Sequence, residues 1–167
     1  FDLTEWTAHS GTGAIVSESY RSSALTPDNW AITPAITLPE GSPASVSFFA
    51  AAQDAAYPAE HYGVYVSTTT TDPSAFTLIW DETMDANGGQ HRVQGAWGEK
   101  HADLSNYAGQ TIYIGFRHFN CTDQFIFLID DVTVALVSAA EENIAEAIEV
   151  YPNPTSSMVT IANAEGK

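Results

Sequence analysis

Basic residues are scarce in this chain. Five Lys and Arg stand against 21 Asp and Glu in 167 residues, a formal net charge of −16. A surface so poor in cations repels polyanions, which excludes nucleic acid and anionic membranes as partners. Cysteine is almost absent too. Cys121 stands alone, so no internal disulfide can form. No basic residue directly flanks it, so it reads as a small buried apolar side chain and not as a nucleophile. No apolar run reaches the length of a membrane span, so membrane insertion is not expected. The chain also opens on Phe1 with no initiator Met and no signal peptide. It is therefore expected to be an excised or mature part of a larger precursor.

What is present is a strand pattern. Apolar residues make up 44% of the chain, enough for one sizeable core. Apolar, alternating runs recur at Ala14–Tyr20, Trp30–Leu38, Ala44–Ala52, His61–Ser67, Phe76–Glu82, His91–Trp97, Lys100–Leu104, Thr111–Phe119 and Gln124–Ala135. Turn residues separate them, among them Pro27-Asp28-Asn29 and the Asn87-Gly88-Gly89 hairpin signal. Pro34 interrupts its run and predicts an edge strand or a bulge there. No amphipathic helix is visible before residue 138. Short strands at this spacing predict an all-β domain, a jelly-roll β-sandwich, over residues 1–137. Residues 138–149 form an acidic, Ala-rich linker expected to be helical in part. Residues 150–167 alternate again but are too few to bury a second core.

The most informative stretch is Gln110–Ala135, two long apolar runs joined by the polar Asn120–Asp123. Its second run carries two adjacent carboxylates, Asp130 and Asp131. Neighbours on a strand point to opposite faces, so one of the pair must face inward or the strand must end there. A buried carboxylate is costly unless it is paired, hydrogen-bonded or bound to a metal. Alternation leaves both choices open. Phe127, Ile129 and Asp131 share one face, Leu128, Asp130 and Val132 the other, and both faces are apolar.

Four ordered motifs carry a family resemblance: A-L-T-P-D-N-W-A-I-T-P at 24–34, A-Q-D-A-A-Y-P-A-E-H-Y-G-V-Y-V-S at 52–67, L-S-N-Y-A-G-Q-T-I-Y-I-G-F-R-H-F-N-C-T-D-Q-F at 104–125 and L-I-D-D-V-T-V at 128–134. Together they resemble the cleaved adhesin domains of gingipain haemagglutinin regions. The resemblance implies a jelly roll similar to galactose-binding-like and MAM domains, stabilised by structural calcium. It also implies adhesion to host proteins, haem proteins or glycans. One departure stands out: T-A-H-S-G-T-G follows Trp6 where many members carry a long Asp/Gly-rich run, so any calcium site built from that run is absent or altered. Glu149–Ile161, E-V-Y-P-N-P-T-S-S-M-V-T-I, looks like the truncated start of a type IX secretion C-terminal sorting domain. That implies export, then release or attachment at the outer cell surface.

Calcium takes several oxygen ligands from carboxylates, carbonyls and water. In modules similar to this one the ion ties the first strand to the last, and the matching residues are Asp2 with Asp130 or Asp131. The resemblance prefers Asp130. A second candidate pair is Asp54 and Glu60 in the loop before His61, and Asp28 and Asp123 are further candidates. His9, His61, His91, His101 and His118 show no ligand spacing, so they read as isolated surface or packed side chains. No G-x-S-x-G or other nucleophile motif stands out, so no catalysis is expected. Aromatics at loop rims can stack on sugars or anchor proteins, and Tyr57 and Trp97 are the expected exposed ones. Trp97 sits between Gly95 and Gly98, as suits a closely approached loop. Arg117 is expected to neutralise a nearby carboxylate. The expected function is a secreted or cell-surface, calcium-stabilised adhesin module that binds host proteins or haem proteins. A carbohydrate-binding module appended to a secreted enzyme, and a purely structural spacer, are the alternatives.

Overall fold

The computed structural model describes residues 8–84 and 97–137, together with the backbone of a strand at 147–149. The described strands are β1 (Ile15–Glu18), β2 (Asn29–Ile32), β3 (Ile36–Thr37), β4 (Ala44–Ala52), β5 (His61–Ser67), β6 (Thr77–Thr83), β7 (Gly98–Asp103), β8 (Thr111–His118), β9 (Ile126–Leu136) and β10 (Ala147–Glu149). The only helical pieces among the described residues are two three-residue 3-10 turns, at Pro73–Ala75 and Ser105–Tyr107.

Two antiparallel sheets form the all-β domain. One runs β1-β9-β4-β7, with β10 also on β9. The other runs β2-β8-β5-β6, with β3 also on β8. The jelly-roll sandwich expected from the strand pattern is what the chain builds. Pro34 falls between β2 and β3, two short strands that share the same edge of β8. A proline has no N–H to give a ladder, so it splits the edge and leaves the interior strands intact.

The core lies between the sheets. Val46, Phe48 and Ala50 of β4, Tyr62, Val64 and Val66 of β5, Ile112, Ile114 and Phe116 of β8, and Ile129, Val132 and Val134 of β9 all pack in it. Phe48 is at its centre, with its ring edge-on to Phe116 at 5.0 Å, to Trp80 at 6.0 Å and to Tyr62 at 6.2 Å. Alternation is clean over residues 44–49 of β4, while Ala51 is buried on the other side of the sheet against Ile126 and Leu128. At the end of the acidic linker, Ala147–Glu149 pairs antiparallel with Thr133–Ala135. The edge of β9 beyond β1 offers the N–H and C=O groups that this short strand takes.

Candidate functional site

Three polar or aromatic features stand on this frame. The first resolves the adjacent carboxylates. In the β4–β9 ladder Ser47 pairs with Thr133 and Phe49 with Asp130, so two steps on β4 face three on β9. That is a β-bulge, and Asp131 occupies it with φ +49°. The extra residue shifts the parity of β9: Phe127 and Ile129 face the core before it, Val132 and Val134 after it. Neither carboxylate then has to enter the core. Asp130 Oδ2 accepts from the Ser10 backbone N–H (3.2 Å), and Asp130 Oδ1 accepts from the N–H of Asp131 (2.8 Å). Asp131 accepts from the Ser10 hydroxyl and lies 2.6 Å from His9 Nδ1. Burial works against the Asp131 anion, but the bonds from His9 and Ser10 outweigh it and hold its carboxyl below the usual range. His9 itself is stacked on Phe49 at 3.5 Å. Asp130 is the more buried of the two, at 5% exposure, yet both serve the same segment.

The second feature is the outer face of the β2-β8-β5-β6 sheet. Trp30, Tyr65 and Arg117 lie side by side there, because Trp30 pairs with Arg117 and Tyr65 with Gly115. The Arg117 guanidinium sits 4.4 Å from the Phe119 ring, 5.3 Å from Trp30 and 5.9 Å from Tyr65. Its Nε donates to Asp28 at 2.7 Å, a bond that raises the Arg117 pKa and lowers that of Asp28. The expectation that Arg117 neutralises a carboxylate is met, and Asp28 is committed to that pair. Phe76 flanks Trp30 at 5.5 Å. Gly115 makes room for both rings: a Cβ there would lie 3.0 Å from each.

The third feature runs against the sequence-based expectation for the histidines. Glu60 precedes β5 and is fully buried. Its Oε1 accepts from the Ser19 hydroxyl and from the Phe125 backbone N–H, both at 2.9 Å. Its Oε2 lies 2.9 Å from His118 Nε2 and accepts from the Cys121 thiol at 3.4 Å. His118 is buried as well, and its Nδ1 is 2.6 Å from Ser17 Oγ, which in turn accepts from Asn29. His118 is therefore no isolated histidine. The arrangement follows from the ladder: β5 and β8 pair Tyr62 with His118, which brings Glu60 beside the end of β8. Cys121 lies in the turn just beyond, half-exposed, and burial followed by the charge of Glu60 pushes its thiol up to about 12.

The other expected site residues are scattered. Asp54 sits on a half-buried loop and accepts from the Ala56 N–H at 2.8 Å, so Asp54 and Glu60 make separate sets of contacts. Tyr57 is exposed, at 55%. Trp97, expected as an exposed rim residue, is instead half-buried against Ala51, Ile126 and Leu128, with His9 edge-on at 5.8 Å. The cause is β7: Gly98 pairs with Ala50, which lays Trp97 over the outer side of that sheet. Asp123 adopts φ +55° in an exposed turn. Asp2 lies outside the described residues.

Comparison with known proteins places these features in a family. The family model described as Cleaved Adhesin Domain matches residues 2–134. Gingipain R1 of Porphyromonas gingivalis is 42% identical over 136 residues, which cover 75% of this chain and 8% of that protein. Hemagglutinin A of the same organism, strain W83, is 35% identical over 142 residues, 76% of this chain and 6% of that protein. This chain thus spans less than a tenth of the length of these relatives. Among solved structures, the K1 cleaved adhesin domain of Lys-gingipain from P. gingivalis W83 aligns at 42% identity with a TM-score of 0.63, covering 72% of each chain. The K2 domain of Lys-gingipain aligns at 32% identity with a TM-score of 0.65, covering 81% of this chain and 78% of that one. With a matching family model over most of its length and relatives at this identity, the chain belongs to the cleaved adhesin domain family.

Proposed function

We propose that this domain is a non-catalytic adhesion module, displayed outside the cell as part of a multidomain protein, and that it binds a host protein or haem protein. Family membership supports the adhesive role. The observation that carries the reading is the outer face of the β2-β8-β5-β6 sheet, where Arg117 lies among Trp30, Tyr65 and Phe119 in a chain with only five Lys and Arg. Arginine and large aromatics are the side chains that most often anchor a protein interface. Their geometry is set in advance by Gly115 and by the Asp28 pair, so little ordering remains to be done on binding. Type IX export, suggested by the Glu149–Ile161 motif, is the route this proposal favours to the outer surface.

The proposal includes one structural calcium at the β9 bulge. Support comes from the bulge itself, which turns two carboxylates toward one segment and offers oxygen donors of the kind a hard cation takes. Asp130 or Asp131, together with Asp2, would hold it. A chelator titration checks this: EGTA is expected to lower the melting temperature, and an unchanged midpoint would rule the ion out.

Binding of the domain to immobilised haemoglobin and extracellular-matrix proteins, run beside a glycan array, tests the adhesive role. Protein binding that falls at least tenfold in Trp30→Ser and in Arg117→Ser is expected. Glycan signals alone would favour a carbohydrate-binding module. Silence in both assays from a folded domain would favour a spacer. Unchanged protein affinity in both variants would move the binding face elsewhere.

A further inference from the structure

We propose that Glu60, His118 and Cys121 form a binding site for one divalent ion of the zinc class. The three donor atoms, one oxygen, one nitrogen and one sulfur, lie within 4.8 Å of one another. Glu60 Oε2 to His118 Nε2 is 2.9 Å, Cys121 Sγ to His118 Nε2 is 3.0 Å, and Cys121 Sγ to Glu60 Oε2 is 3.4 Å. Donors around a tetrahedral zinc stand about 3.3–3.6 Å apart, given metal–ligand bonds of about 2.0–2.3 Å. The site reaches that spacing if donor atoms separate by roughly half an ångström or less.

The surroundings match a built site. A metal-bound imidazole needs its other nitrogen held, and Ser17 Oγ holds Nδ1 at 2.6 Å while Asn29 holds Ser17. A metal-bound carboxylate needs its other oxygen held, and Ser19 and the Phe125 N–H both donate to Oε1. Glu60 and His118 are buried and Cys121 is half-exposed, so the ion has a route in past the thiol. Water would take the fourth position.

Charge points the same way. Among the described residues the side-chain and backbone partners of Glu60 are Ser19, Phe125, His118 and Cys121, none of them a Lys or Arg. A dication bound to one carboxylate and one thiolate makes a neutral centre. Loading releases the Cys121 proton to solvent. The imidazole then carries its one proton on Nδ1, where Ser17 Oγ accepts it. Thiolate and imidazole exclude calcium, which takes oxygen, so this site is distinct from the carboxylate pair at the bulge.

The test titrates the full, metal-free chain with cobalt(II), then with zinc(II). One equivalent of cobalt is expected to give the near-ultraviolet band of a cobalt–thiolate bond, and zinc to abolish it. Zinc is also expected to protect Cys121 from alkylation in the native protein. Cys121→Ser is expected to lose the band and at least about a hundredfold in zinc affinity, and Ser17→Ala about ten- to a hundredfold. His101→Ala, an exposed histidine elsewhere, is expected to change nothing. Absence of the band, unprotected alkylation, or zinc affinity in Cys121→Ser within twofold of the parent would each overturn the site. The first two readings use the unaltered chain, so they decide for or against the site even if a variant fails to fold.

Discussion

Replacing Glu60 by alanine strips a buried acceptor from four donors at once. Ser19, the Phe125 N–H, His118 and Cys121 would each lose one contact at a carboxylate that is fully buried. Removing one partner of a buried polar pair costs about 3–5 kcal/mol, because the groups left behind keep their desolvation penalty. In a domain of this size each kcal/mol moves the melting midpoint by about 2–4 °C. Glu60→Ala is therefore expected to melt roughly 6–20 °C lower. Glu60→Gln keeps the shape and one acceptor. Its amide oxygen can still serve Ser19 and Phe125, while its NH2 meets His118 and Cys121 where the carboxylate accepted. That single mismatch is expected to cost about 1–3 kcal/mol. Urea unfolding at pH 7 in the presence of chelator, followed by tryptophan fluorescence, gives both values without a metal contribution. A Glu60/His118 double-mutant cycle should add a coupling of about 0.5–3 kcal/mol. If Glu60→Ala unfolds within about 0.5 kcal/mol of the parent, the network contributes nothing beyond an ordinary surface position and the reasoning fails.

Two further outcomes follow from geometry already described. Gly115→Ala places a Cβ 3.0 Å from both Phe76 and Trp30, so one ring must move; a loss of about 1–3 kcal/mol is expected by urea unfolding, and a neutral or stabilising change would refute the packing. Asp131 has its folded pKa held below the ordinary 3.8, so the folded state binds fewer protons than the unfolded one. Its contribution is present above about pH 4 and is lost as the pH falls through the lower, folded value. Asp131→Asn, compared with the parent in chelator from pH 6 to pH 2, should show a shallower fall in stability across that range; parallel curves would count against the His9 and Ser10 bonds.

Much of the fold was legible in the amino-acid pattern. Ala44–Ala52 and His61–Ser67 are strands with the bounds their alternation suggests, because each is closed by residues that suit turns. Three things were not legible, each for a physical reason. The adjacent aspartates look irreconcilable under strict alternation, and a bulge is a property of two strands in register, which no single run displays. Trp97 between glycines suggests an exposed loop, but the partner of Gly98 is Ala50, nearly 50 positions away, and that pairing decides where the indole lies. The Glu60–His118 contact spans 58 residues. Its traces in the sequence are a carboxylate directly before a largely apolar strand and a histidine three positions before the lone cysteine. Neither speaks until the β5–β8 ladder brings them together.

The strand arrangement around the bulge also governs how the module answers a pull. β1 and β10 share one edge of β9, and their outward ends, Ile15 opposite Ile129 and Glu149 opposite Thr133, stand on either side of residues 130–132. A load drawn through the chain first meets the His9 and Ser10 bonds to Asp130 and Asp131, and then the two ladders end-on. It opens them one pair at a time instead of shearing all pairs together. Under traction the two short strands would peel back as slack, while the longer β4–β7 and β4–β9 ladders hold and the opposite sheet keeps its shape.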